Sequence, residues 1–329
     1  MTASPLLRYL NRFRGRRIAV LGDFMLDHFI WGRASRLSAE APVPVVETSG
    51  ESFLPGGAGN VVANLAALGA RAIPFGMVGR DLSGRILRRE LARRGVLAGT
   101  LLTTSDRPTT RKLRIIETAR KHQVARADLE RCEPAPSRIV RRLVSSMLTG
   151  NFHAVIVSDY DKGTVTPELL KQVLPALVRS GTPVFLDPRP RQAVHYRPVT
   201  VLTPNRHEAE LISGVPIRDA FTLRMAARRI LAQTEGAAVL ITLGHEGMAL
   251  MEKGGRLHNV PTQAREIYDV TGAGDTVISV LALAYAAGAP LPAAAALANY
   301  AAGIVVGRVG TVVPTLAELR AALRAPGRK

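Results

Sequence analysis

Along the chain, short runs of β-branched and aliphatic residues alternate with stretches whose apolar positions recur every three to four residues. Residues 17–21 (Arg-Ile-Ala-Val-Leu) read as a buried strand, 58–68 as a helix, 71–78 as a strand and 82–94 as a helix. The alternation resumes with a helix at 137–148, a strand at 153–158, a helix at 167–179, strands at 183–186 and 200–202, and a helix at 218–233. Strands joined through helices pair in parallel, because each crossover returns the chain to the same end of the sheet. The expected fold class is α/β, a doubly wound and mostly parallel sheet covered on both faces, with ligands beyond the carboxyl ends of its strands.

Two segments break the rhythm. Residues 29–48 and 109–128 mix polar and apolar positions in an extended pattern, and neither leads into an ordinary crossover helix. They are expected to pair as a small antiparallel β lid inserted into a single domain spanning residues 1–329, although two separate edge hairpins would leave the same pattern. No repeat, low-complexity tract or linker divides the chain.

At 329 residues and 47% hydrophobic, the chain can bury a large core. Cys132 is the single cysteine, which excludes an internal disulfide framework and agrees with a reducing compartment. The N-terminal residues lack a signal-peptide pattern, and no apolar run reaches the roughly 18 residues that span a bilayer. A cytoplasmic protein without membrane or nucleic-acid partners is therefore expected. The net charge of +18 would suit a nucleic-acid binder, but the basic residues are spread along the whole chain and aromatics make up only 5%. Only six of the 44 basic residues are lysines, so the charge is an arginine bias throughout. Such a field would still steer phosphorylated substrates.

The chemistry concentrates in Asp269-Val-Thr-Gly-Ala-Gly-Asp275, a glycine-rich turn that runs directly into an apolar, alanine-rich helix. Gly272 and Gly274, on either side of Ala273, allow close backbone approach, and the free N–H groups of a first helical turn attract an anion such as a transferring phosphoryl group. Asp275, at the positive end of that helix, is placed to accept a hydroxyl proton. An isolated turn of this kind more often only caps a helix. The chain has no P-loop signature, and Gly57-Ala-Gly59-Asn-Val-Val62 fails the dinucleotide pattern at its last glycine.

The motif resembles the signature of the ribokinase-like (PfkB) carbohydrate kinase family, and further motifs of that family follow in order along nearly the whole chain. The resemblance implies that Asp275 is the base and that the turn stabilises the phosphoryl group. It implies sugar binding at Gly56, Gly57 and Asn60 of Gly56-Gly-Ala-Gly-Asn60, and ATP and Mg²⁺ binding at Asn205, Arg206, His207 and Glu208, with Asn205 and Glu208 serving the metal. It places nucleotide contacts at Thr242, Gly244, Gly247 and Asn299. A monovalent cation and a homodimer are further expectations, the latter because an exposed lid leaves edges to cover.

Within the family the chain is most similar to the heptose 7-phosphate kinases, through Gly22-Asp-Phe-Met-Leu-Asp27, Ser35-Arg-Leu-Ser38, Lys112-Leu-Arg114, Ser158-Asp-Tyr-Asp-Lys-Gly163 and Leu186-Asp-Pro188. This implies phosphorylation of the anomeric hydroxyl of D-glycero-D-manno-heptose 7-phosphate for lipopolysaccharide core synthesis. Asp27 is then a sugar ligand, while Lys112, Arg114 and Lys162 are candidates for holding the substrate, against the alternative of solvated surface charges. His28, Ala39, His122 and Arg189-Pro190 depart from that pattern. No two of the seven histidines show the H-x-G-H spacing of an adenylyltransferase, so none is expected in this sequence. The rival expectations are a kinase for another sugar and a sugar-phosphate sensor on a kinase scaffold.

Overall fold

A computed structural model describes residues 4–119, 122–263, 270–308 and 312–325. Asp269, the first residue of the glycine-rich motif, lies outside the described residues, as do residues 120 and 121 of the second lid segment. The strands are β1 (Arg17–Gly22), β2 (Phe24–Leu37), β3 (Pro44–Gly57), β4 (Arg71–Gly79), β5 (Leu101–Thr104), β6 (Thr110–Glu117), β7 (His122–Leu129), β8 (Ala154–Ser158), β9 (Val184–Asp187), β10 (Val201–Leu202), β11 (Ala238–Thr242), β12 (Met248–Glu252) and β13 (Leu257–Val260). Nine of them form one sheet in the order β13-β12-β11-β10-β9-β8-β1-β4-β5.

The central strands are buried at nearly every position while their side chains alternate between two faces, so the sheet needs two helical layers. Ile18, Val20 and Ile156 point into one core with helices Ala58–Ala67, Ala273–Ala286 and Leu291–Val306. Ala19, Leu21 and Val157 point into the other, against helices Ser137–Leu148, Pro167–Arg179 and Ala220–Thr234. Helix starts follow their capping chemistry. Asp81 accepts from Gly84 N at 2.8 Å, and Asp219 caps a helix that begins at Ala220, two residues later than the periodicity suggests.

The chain leaves β1 outward to β4 and β5, then returns to lay β8 on the other side of β1. The order reverses there, with Gly22 opposite Ser158 at the carboxyl ends, the place where open α/β sheets bind ligands. From β5 to β11 all pairs are parallel; β12 and β13 turn back antiparallel at the edge.

The lid is a second sheet in the order β3-β2-β6-β7. β2–β3 and β6–β7 are antiparallel hairpins, as expected, but the seam between them, β2–β6, is parallel. Both β2 and β6 rise away from the carboxyl edge of the large sheet, one after β1 and one after β5, so they point the same way. The lid strands are also rooted deeper than 29–48 suggests. β2 begins at Phe24 and β3 ends at Gly57, in residues apolar or small enough to be buried.

Candidate functional site

The turn at Gly272 has φ of 79°, a left-handed conformation suited to glycine, and caps helix Ala273–Ala286. Gly272, Gly274 and Asp275 line a cavity of about 160 Å³ together with Asn205, Glu208 and Thr242. The fold thus gathers residues from three separate motifs, each at the carboxyl end of a strand or the start of a helix. Ala273 turns its N–H to Val270 O at 3.2 Å, so the anion-facing donors of this turn are those beyond it.

Asp275 is buried, and both its oxygens are bonded: Tyr160 donates its phenol O–H to Oδ1 at 2.7 Å and Asn60 donates Nδ2 to Oδ2 at 2.8 Å. Burial pushes its pKa up to about 6 against those two bonds, which favour the ionised form. A carboxylate in this condition can both accept and release a proton close to neutral pH.

Asn205 and Glu208 cap the helix Arg206–Ser213 reciprocally. Asn205 Oδ1 accepts from Glu208 N and Glu208 Oε2 accepts from Asn205 N, each at 2.9 Å. The other Glu208 oxygen accepts from Arg189 at 2.6 Å. Among the described residues no three His, Cys, Asp or Glu side chains cluster closely enough to hold a metal by themselves. The donor set instead suits an ion that keeps waters and arrives with phosphates, needing one or two carboxylates. Asp187 at the end of β9 is such a group. It lines the cavity, and burial first, then Glu208 and Asp275, pushes its pKa well above the ordinary carboxylate value, a strain that a cation would relieve.

Arg206 and His207 are not brought to the cavity. Arg206 pairs with Glu246 and donates to Ile217 O, and His207 is exposed on the helix. Gly244 and Gly247 form the turn between β11 and β12; a side chain at Gly247 would collide with the backbone of Val260 and Thr262. Asn299 is buried and donates to Pro261 O at 2.5 Å, holding the chain after β13 to the late helix.

At the root of the lid Asp27 is buried and paired with Arg114 at 2.5 Å. A Cβ on Gly56 would strike the Asp27 carboxylate, and Gly57, at φ of 56°, passes against Asp23 O, so the two glycines allow β3 to close over the acid. Lys112 pairs in register with Asp27 and Asp128, and Arg114 with Phe29 and Arg126, so both cations share a lid face with Asp27. Burial first, then Arg126, lowers the Lys112 pKa, with the Asp27 and Asp128 charges acting the other way. Lys162 instead spends its ammonium on Glu130 at 2.8 Å, tying the loop after β8 to the foot of the lid. Asp23 organises that same loop by accepting from the N–H groups of Tyr160, Lys162 and Thr164.

Tyr160, Asp187, Arg189 and Thr203 line the cavity, although the sequence reading assigned them no role. The available signal was positional. Asp187 ends β9 and Tyr160 lies two residues beyond β8, at the carboxyl edge where ligands collect.

The description of the pfkB family carbohydrate kinases matches residues 16–318. The bifunctional protein HldE of Syntrophotalea carbinolica is 41% identical over 326 residues, covering 98% of this chain and 66% of that protein. The HldE of Trichlorobacter lovleyi is 44% identical over 92% of this chain and 62% of its own length. The chain thus spans somewhat less than two thirds of these relatives. In fold it is similar to Arabidopsis thaliana ribokinase complexed with ribose and ATP (TM-score 0.72, 19% identity, 95% of this chain and 100% of that one). It is also similar to Escherichia coli phosphofructokinase-2 in complex with substrates and products (TM-score 0.77, 19% identity, 94% and 98%). A buried carboxylate in the first turn of a glycine-capped helix, a family match over residues 16–318 and relatives above 40% identity agree, and the chain belongs to the pfkB family of carbohydrate kinases.

Proposed function

We propose that the chain transfers the γ-phosphoryl of ATP to the anomeric hydroxyl of D-glycero-D-manno-heptose 7-phosphate, giving the 1,7-bisphosphate, with residues 1–329 acting as one kinase unit closed by the lid. The observation that carries this reading is the position of Asp275, its carboxylate buried at the anion-attracting end of a helix and directly beside the cavity. Asp275 takes the proton of the attacking hydroxyl, and the donors of the Gly272–Gly274 turn face the charge on the transferring phosphoryl. The nucleotide would lie towards Thr242, Gly244, Gly247 and Asn299, and its phosphates towards Asn205 and Glu208. Mg²⁺ would supply charge neutralisation between those phosphates, held against Asp187 and, through water, Glu208 and Asn205.

The lid supports a phosphorylated sugar. Lys112 lies opposite Asp27 in register and Arg114 shares that lid face, so cations suited to a phosphate stand beside a carboxylate suited to sugar hydroxyls. The outer lid strands β3 and β7 are the edges a second copy would cover in a homodimer. A coupled ADP-release assay across sugars and sugar phosphates tests the assignment. Highest kcat/KM for heptose 7-phosphate is the expected result, and preference for an unphosphorylated sugar moves the function to another sugar kinase of the family.

A further inference from the structure

Two groups must be set relative to one another in any such transfer, the base that takes the proton and the cation that meets the phosphoryl oxygens. One side chain touches both. Tyr160 lies two residues past β8, its backbone fixed where its N–H donates to Asp23 Oδ2 at 2.9 Å. Its phenol O–H reaches Asp275 Oδ1 at 2.7 Å, and the guanidinium carbon of Arg189 stands 4.8 Å from its ring centroid. Arg189 is held from the far side by Glu208 at 2.6 Å and opens on the same cavity.

We propose that Tyr160 is a positioning residue for phosphoryl transfer, aiming the Asp275 carboxylate with its hydroxyl and carrying Arg189 on its ring so that base and cation keep one spacing. This rests on the reading of Asp275 as the base. A carboxylate oxygen accepts two hydrogen bonds, so Tyr160 fixes one lone pair of Oδ1 and leaves the other for the substrate hydroxyl. The phenol remains a donor. Burial first, then Asp275 and Asp187, pushes its pKa well above the ordinary tyrosine value, and it does not compete for the proton. The groups that face Asp275 are Tyr160 and Asn60 through hydrogen bonds, and Asp27, Asp187 and Arg189 through charge. Of these, Tyr160 alone also contacts the Arg189 guanidinium with its ring.

Tyr160→Phe removes the O–H and keeps the ring. The Asp275 carboxyl can be followed by ¹³C NMR in aspartate-labelled protein, its resonance assigned by its absence from Asp275→Asn. The expected wild-type midpoint is about 6, and it should move upward in Tyr160→Phe, because a bond that favours the ionised form is gone. With the sugar that the wild type turns over fastest, kcat should fall roughly tenfold at pH 6 and recover as pH rises past both midpoints, with KM for ATP unchanged. Tyr160→Leu, which also strips the support from Arg189, should in addition raise KM for ATP. An unmoved carboxyl midpoint in Tyr160→Phe, or a loss equal at every pH, overturns the proposal. Full turnover in Asp275→Asn would instead overturn the base assignment, and the NMR titration still reports on Tyr160 in that case.

Discussion

Asn60 and Asp275, 215 residues apart in sequence, meet at 2.8 Å in the interior, the Asn60 amide donating to Asp275 Oδ2. The contact belongs to a polar seam between helices Ala58–Ala67 and Ala273–Ala286. One turn further on, Thr276 donates to Asn64 Oδ1 at 2.9 Å, and Ser279 donates to Val61 O at 3.2 Å. Polar groups buried this deeply fix the register of the two helices because leaving any one unpaired is costly. The Gly56–Asn60 loop and Asp275 are thereby locked together.

Asn60→Ala should therefore damage more than sugar binding. It leaves a buried carboxylate oxygen without its donor, at a cost of about 1–3 kcal/mol in stability. It also removes a bond that favours the ionised Asp275, so the acid limb of the kcat/KM profile should shift to higher pH. Thermal melting and a pH–rate series check the two effects; a change in sugar KM alone, with the acid limb unmoved, would confine Asn60 to the substrate.

Asp187 should show the opposite relation between stability and activity. Its folded-state pKa lies well above the ordinary value, so the folded protein binds the proton more tightly than the unfolded chain. The associated stability is fully present below about pH 4 and is lost as pH rises through the folded pKa. Asp187→Asn should accordingly melt about 2–6 °C above the wild type at pH 8, with the difference vanishing near pH 4, while turnover falls by about 10²-fold or more. Calorimetry at the two pH values, alongside steady-state rates, gives the answer.

The lid cations should separate from one another. Arg114 is already bonded to Asp27 and packs over Phe29, whereas Lys112 shows no carboxylate within ion-pair distance among the described residues. Lys112→Ala should lower kcat/KM for a phosphorylated sugar about tenfold or more and spare an unphosphorylated one. Arg114→Ala releases Asp27 and should impair both. Equal effects of the two variants on both substrates would remove Lys112 from phosphate recognition.

The large sheet was legible because its strands are short, buried on both faces and separated by periodic helices, as in 17–21 and 167–179. Strands β5 and β11 and the hairpin β12–β13 were not, since none of them leads directly into a periodic crossover helix. The lid was visible as an irregularity, but its parallel seam depends on where β2 and β6 leave the sheet, which no local pattern records. The glycine turn and Asp275 could be read from local chemistry. The contacts of Tyr160 with Asp275 and Arg189 could not, because they exist only where β8, β9 and helix Ala273–Ala286 converge. Nor does the sequence record that the Lys162 ammonium is held by Glu130, a contact between the loop after β8 and the chain after β7.

The central claim is a base-assisted transfer to a phosphorylated heptose, and the most direct measurement is steady-state ADP release with heptose 7-phosphate, run from pH 5 to 9 for the wild type and Asp275→Asn. The account predicts robust wild-type turnover to a 1,7-bisphosphate. It predicts an acid limb near pH 6, below which the base is protonated and the rate falls, and a loss of at least about 10²-fold in the variant at neutral pH. Wild-type turnover with no acid limb, together with an Asp275→Asn enzyme of near-normal rate, would contradict it.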